Sequence, residues 1–156
     1  MNFIESVNLN QSIMTVVAVL TLCLLRGQFK NERYRLKLDL WDRRYEVYHA
    51  LMELLAASTD TPPSREDIAK FSARTAQKQF LFKDHVLDYI EKVRKNASEL
   101  RIQTESHKRK GQDWNGDTEE AKMIDEKISE LDKWLDDQIL IAPKHFQEYL
   151  GFKKNL

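Results

Sequence analysis

The chain has 156 residues, of which 32% are charged, and its 25 basic and 25 acidic residues cancel at neutral pH. The length suits one modest domain, and the neutral total argues against general nucleic-acid binding. A single cysteine, Cys23, excludes a disulfide framework and a cysteine metal site. Because the chain contains only four Gly and three Pro, helix is favoured over sheet, and the predicted fold class is all-α.

An uncharged segment, Val7–Leu25, lies near the start of the chain. A helix of this length measures about 28 Å at 1.5 Å per residue, which matches a thin bilayer. A signal peptide is disfavoured because the first twelve residues contain Glu5 and no Lys or Arg. We expect residues 1–27 to form a transmembrane segment and residues 28–156 a helical domain. A buried core helix is the alternative.

Basic residues follow the uncharged segment directly and predict its orientation. Residues 26–37 contain five basic residues and one acidic residue, a local balance of +4. The basic residues are Arg26, Lys30, Arg33, Arg35 and Lys37, and the acidic one is Glu32. Basic residues beside a span stay in the cytoplasm. The sequence therefore predicts a single-pass membrane protein, with its N-terminus outside and its C-terminal domain in the cytoplasm.

Four polar residues of the predicted span share one face of a helical wheel: Asn8, Gln11, Ser12 and Thr15. Polar side chains within a bilayer are costly unless they meet each other or water. An oligomer could turn this polar stripe inward as the lining of a pore, with Gly27 as a hinge beneath it. The alternative is that these residues lie in the outer headgroup region.

A heptad pattern follows the basic residues and predicts a long amphipathic neck helix that ends near Ala57, before Pro62 and Pro63. We define the neck seam as the residues at alternating spacings of four and three: Tyr34, Leu38, Trp41, Tyr45, Tyr48 and Met52. Such a seam faces a partner helix. That helix belongs either to another copy, which makes the protein a homo-oligomer, or to a later part of the same chain.

The remaining sequence predicts a helical bundle. Ser64 and Asp67 form a capping box that opens a second helix. A third helix follows Asp84 and presents apolar residues at helical spacing: Val86, Ile90, Val93, Ala97 and Leu100. A fourth helix follows a long loop, and a short last helix is expected to begin at Pro143.

The loop at about residues 104–118 contains two of the four glycines. Within it, Lys108, Arg109 and Lys110 are candidate contacts for a phosphate or an anionic lipid headgroup. The alternative is a solvated basic loop.

No known catalytic motif is present: the chain has no phosphate-binding glycine loop, no H-E-x-x-H and no G-x-S-x-G. Its four histidines, His49, His85, His107 and His145, lie 22 or more residues apart and share no metal-ligand spacing with a carboxylate. We therefore expect no enzyme activity, no catalytic residue, no metal and no cofactor.

Four stretches in order carry a resemblance to known proteins: LKLDLWDRRYEVYHALMELL, KFSARTAQKQFLF, DYIEKVRKNASELR and WLDDQILIAPKHFQEYL. They resemble a broad bacterial family of small proteins with one N-terminal membrane helix and a helical cytoplasmic domain. The likeness covers roughly residues 34–150. The residues that carry it form packing patterns and not catalytic motifs. The resemblance implies a location in the bacterial inner membrane, and the layout is similar to that of membrane effectors in anti-phage defence systems.

Two functions are compatible with this sequence. In the first, the protein homo-oligomerises through its membrane and neck helices and acts as a gated pore-forming or membrane-disrupting effector in antiviral defence. Its trigger would be a regulatory cytoplasmic protein, or a nucleotide or oligonucleotide ligand, supplied by a neighbouring gene. In the second, the span anchors an adaptor whose helical domain recruits a partner protein. In both, the lipid bilayer is a partner.

Overall fold

The computed structural model describes the backbone of residues 3–110 and 119–151, and it describes the side chains of α1 from Met14 onwards except at 15, 18, 19 and 60. Over these ranges the chain forms four α-helices and one 3-10 helix: α1 (Phe3–Asp60), α2 (Arg65–Arg74), the 3-10 helix (Lys78–Phe80), α3 (Asp84–Lys110) and α4 (Glu119–Leu150). Since these ranges contain no strand, the predicted all-α fold class is confirmed.

The chain separates into two units, residues 1–40 and residues 41–156, and α1 contributes to both. In the first unit, every described side chain is exposed. Across the described residues, no helix is long and apolar enough to cross a membrane. Within the uncharged segment Val7–Leu25, the side chains of residues 7–13, 15, 18 and 19 lie outside the described ones. The boundary between the units follows Leu40, whereas the predicted membrane boundary follows Gly27.

The second unit has one hydrophobic core. The end of α1 contributes Val47, Ala50, Leu51, Leu54 and Leu55, and α4 contributes Leu131, Leu135, Ala142, Phe146 and Leu150. All five apolar positions that the sequence predicts for α3 are buried, because their spacing places them on one face of the helix. That face packs along α4, and α3 also contacts α2 and the 3-10 helix.

The capping box at the start of α2 is confirmed. The Ser64 hydroxyl accepts the backbone N–H of Asp67 at 3.1 Å, and the Asp67 carboxylate accepts the backbone N–H of Ser64 at 3.0 Å. These hydrogen bonds from Ser64 lower the pKa of Asp67. They satisfy two backbone donors that the first turn of a helix leaves without partners.

The expected loop over residues 104–118 is wrong for its first half, because α3 continues through Lys110. Residues 111–118 lie outside the described residues. Ion pairs one helical turn apart link Arg101 to Glu105 at 2.6 Å and Glu105 to Arg109 at 3.8 Å. Such pairs stabilise an exposed helix that contains no glycine or proline.

The expected break at Pro143 is also wrong, because α4 continues through this residue to Leu150. Proline removes one backbone donor, but Ala142 and Phe146 on either side are fully buried and hold the helix against the core. The helix ends at Leu150, and the next residue, Gly151, has a φ of +65°, which suits a glycine directly after a helix C-terminus.

Candidate functional site

The first unit presents apolar side chains around the whole circumference of α1. Six of these side chains are between 56% and 75% exposed: Met14, Val16, Val17, Leu20, Leu22 and Leu24. On a helical wheel with 100° per residue, these six residues and Leu25 are spread around the helix, and the widest arc between two neighbouring apolar residues is about 120°. The Thr21 hydroxyl donates to the Val17 carbonyl at 2.8 Å, so it needs no outside partner. A helix that is apolar on all sides requires an apolar environment.

The polar stripe of the predicted span lies outside the described side chains, because only the backbone of Asn8, Gln11, Ser12 and Thr15 is described. Its role as a pore lining therefore stays a prediction. The predicted hinge, Gly27, lies within α1, and a Cβ atom added there would meet nothing within 4 Å. The hinge also stays a prediction.

The neck seam is divided between the two units. Tyr34 and Leu38 lie in the first unit and are exposed. In the second unit, the rings of Trp41 and Tyr45 stack with centroids 5.2 Å apart, and both side chains remain about 40% exposed.

The seam also contacts α4 of its own chain. The indole N–H of Trp41 donates to the Leu150 carbonyl at 3.3 Å. Tyr48 packs against Phe146 with centroids 5.3 Å apart, and Met52 packs against the core. The second half of the seam therefore has an intrachain partner, while Trp41 and Tyr45 keep an outer surface.

An aromatic cluster joins the corner before α3 to the end of α4. The ring of Phe82 contacts the rings of Phe146 and Tyr149 at 5.2 and 5.1 Å. The Arg44 guanidinium lies 4.9 Å from the centre of the Tyr149 ring, and its Nε donates to the Leu81 carbonyl at 3.1 Å. Local sequence patterns do not reveal this cluster, since it joins three separate parts of the chain, around Arg44, Phe82 and Phe146.

An ion-pair network ties α2 to α1. Arg74 donates through Nε to the Glu46 carboxylate at 2.9 Å and also pairs with Glu53. The hydrogen bond to Glu46 is the main cause that raises the pKa of Arg74. Beside this network, an open hollow is lined by Glu46, Val47, Ala73, Arg74 and Leu81, among others. The hollow combines charged and apolar walls, which suits a peptide or protein surface.

Lys108 and Arg109, two of the predicted anion contacts, are exposed in the last turn of α3. The side chain of Lys110 lies outside the described residues. Cations at this end of a helix interact favourably with its dipole, which gives them a structural role. Their contact with an anion stays a prediction.

The histidines occupy separate structural positions. His49 lies 3.3 Å from Glu53, and His107 lies 3.3 Å from Asp125. Among the described residues, no group of three His, Cys, Asp or Glu side chains is placed to hold a metal ion.

Tyr89 and His145 form a stacked pair between α3 and α4. Their ring centroids are 3.9 Å apart. The Tyr89 hydroxyl is buried and makes no hydrogen bond to a described residue, and burial raises the pKa of Tyr89. Burial also lowers the pKa of His145, and nearby His85 lowers it further. With Tyr89 buried and His145 half-buried, this site therefore favours a neutral imidazole.

We expect His145 to make the bundle less stable in acid. A folded-state pKa below the unfolded value of about 6.5 means that the unfolded chain binds more protons between these two values. The stability that His145 contributes is therefore fully present above pH 6.5 and is lost as the pH falls through the folded-state pKa. Urea unfolding at pH 7.5 and 5.5 should show a smaller acid loss in His145→Gln than in the wild type. His49→Gln is the exposed control, and equal losses in all three proteins would contradict the prediction.

Comparison of the chain with known protein families, with curated proteins and with solved structures gave no match.

Proposed function

We propose that the protein is a single-pass inner-membrane protein that self-associates and acts on the membrane as a gated pore-forming effector. One observation carries the membrane part: the described apolar side chains of α1 from Met14 to Leu24 are exposed and are distributed around the helix. Apolar surface in water costs about 25 cal/mol per Å². A bilayer covers all sides of such a helix at once, and the basic residues that follow Leu25 would hold its end at the cytoplasmic surface.

Self-association is supported by the four exposed residues of the neck seam. Tyr34, Leu38, Trp41 and Tyr45 each keep between 39% and 70% of their surface exposed. Large aromatic and apolar residues of this kind are typical of interface anchors. The polar stripe of the predicted span needs polar partners within a bilayer, and other copies of the same helix would supply them. The role in defence rests on the resemblance in layout.

An adaptor function is the second candidate, and a specific observation favours it. The hollow between α1 and α2 lies close in sequence to Phe80, whose side chain is 78% exposed. An exposed aromatic residue beside a mixed polar and apolar hollow is typical of a docking surface. In this function the span only anchors the bundle, and membrane permeability does not change.

Membrane potential separates the two functions. Cells that overproduce the wild type, with and without its neighbouring genes, should depolarise in at least one condition. The double substitution Gln11→Leu and Thr15→Leu should abolish depolarisation, because an apolar constriction loses its water and blocks ions. It should leave insertion intact, since it makes the span more apolar.

Thr21→Leu is the matched control. Its hydroxyl is already bonded to the Val17 carbonyl, and at 100° per residue it lies about 120° from Thr15 around the helix. This variant should depolarise cells like the wild type. If the wild type never depolarises cells in any condition, the pore is excluded and the adaptor function is favoured.

A further inference from the structure

We propose that one face of α1 binds the headgroups of anionic phospholipids. The face consists of Arg26, Lys30, Arg33 and Lys37, which we name the basic stripe. The proposal rests on the membrane part of the proposed function and identifies the lipid class that the protein selects.

The basic stripe follows from residue spacing. Its members are separated by four, three and four residues, so at 100° per residue they lie within an arc of about 60°. Glu32 and Arg35 lie on other sides of the helix, about 120° and 180° away. The basic stripe therefore concentrates positive charge on one face, over about 17 Å of helix length.

The cations of the basic stripe have no ion-pair partner among the described residues. In the second unit, by contrast, many cations are paired. Several of its cations are paired with carboxylates, namely Arg74, Lys78, Lys83, Arg94 and Arg101. All four members of the basic stripe are exposed. Unpaired cations on a helix that leaves a bilayer are available to lipid phosphates.

The surface around the basic stripe suits a phosphodiester headgroup. Lys30, Asn31, Arg33, Tyr34 and Lys37 line an open hollow on α1. An arginine fork binds phosphate oxygens in a bidentate way, and the two lysines add positive charge beside it.

Side-chain direction brings the basic stripe closer to the membrane. In an α-helix the Cα–Cβ bonds tilt toward the N-terminus, and here that direction is toward the predicted span. Membrane helices also tilt by about 20° on average. A tilt with the basic stripe facing the membrane brings Arg33 and Lys37 within a Debye length of about 8 Å of the lipid phosphates.

The test measures lipid selectivity of the full-length protein reconstituted in phosphatidylcholine vesicles. Trace amounts of spin-labelled phosphatidylglycerol or phosphatidylcholine report the relative association constant of each lipid with the protein. We expect the wild type to prefer phosphatidylglycerol. Arg33→Gln with Lys37→Gln should reduce that preference at least fivefold, the factor expected for one cation near an anionic surface, and 0.5 M salt should reduce it as well.

Lys122→Gln with Lys133→Gln is the control, since it removes the same charge from two exposed positions of α4 and should keep the preference. An equal loss in the control would show that net charge alone is responsible and would overturn the proposal. Inorganic phosphate at matched ionic strength should not compete, and competition would show a site for free phosphate instead. Failure to enter phosphatidylcholine vesicles would overturn the membrane part of the proposed function. Entry without lipid preference would overturn only the basic stripe.

Discussion

Replacing Phe146 by alanine should lower the free energy of unfolding of the bundle by about 3–5 kcal/mol, the usual cost of deleting a buried aromatic side chain. Phe146 is fully buried, and its ring contacts those of Tyr48 and Phe82 at 5.3 and 5.2 Å. The substitution therefore opens a cavity where α1, the corner before α3 and α4 meet. Since domains of this size are stable by only about 5–15 kcal/mol, the variant should lose a large part of its stability.

Thermal and chemical denaturation followed by circular dichroism, on the full chain in detergent, would measure this loss. Leu140→Ala is the matched control, because Leu140 lies on the same helix but is 78% exposed. Its free energy of unfolding should stay within about 0.5 kcal/mol of the wild type. Similar losses in the two variants would mean that Phe146 is not a core residue.

Placing lysines in the middle of the uncharged segment should prevent membrane insertion. A lysine at the centre of a span costs about 2.5–3.5 kcal/mol, whereas the leucine or valine that it replaces contributes favourably. Val16→Lys with Leu20→Lys should therefore oppose insertion by about 5–7 kcal/mol. Both residues are 58% exposed, so neither change disturbs a described contact.

The measurement is the share of protein that stays with membranes after an alkaline carbonate wash. The wild type should remain in the pellet, and the double variant should appear in the soluble or aggregated fraction. Leu140→Lys introduces a lysine at an exposed leucine of the bundle and should behave like the wild type. A double variant that stays in the membrane would exclude the uncharged segment as a span.

Periodicity made the bundle predictable where one helix face meets the core. The spacing from Val86 to Leu100 identified the buried face of α3, and the capping box identified the start of α2. Single residues that are typical of helix boundaries predicted those boundaries less reliably. Pro143 is typical of a first helical position, but the buried side chains on either side keep α4 intact.

The candidate site was predictable only in part. A heptad pattern identifies the residues of the neck seam but does not identify the helix that packs against them. Trp41 and Tyr48 contact α4 of their own chain, whereas Tyr34 stays exposed. All three residues follow the same heptad spacing. The network around Arg74 links residues 21 and 28 positions apart. Neither helical periodicity nor a local motif relates such positions, so only the tertiary structure reveals them.

The hydrogen bond from Trp41 to the Leu150 carbonyl spans 109 residues of sequence, and this separation sets an order of events during synthesis. At about 5–20 residues per second, the ribosome needs about 5–20 s to make the intervening chain. During that time Trp41 and Tyr48 have left the ribosome while α4, which covers them, is still incomplete. The nascent chain therefore carries an uncovered aromatic surface until translation ends, and in the proposed membrane function the N-terminal segment would be made before this surface is covered.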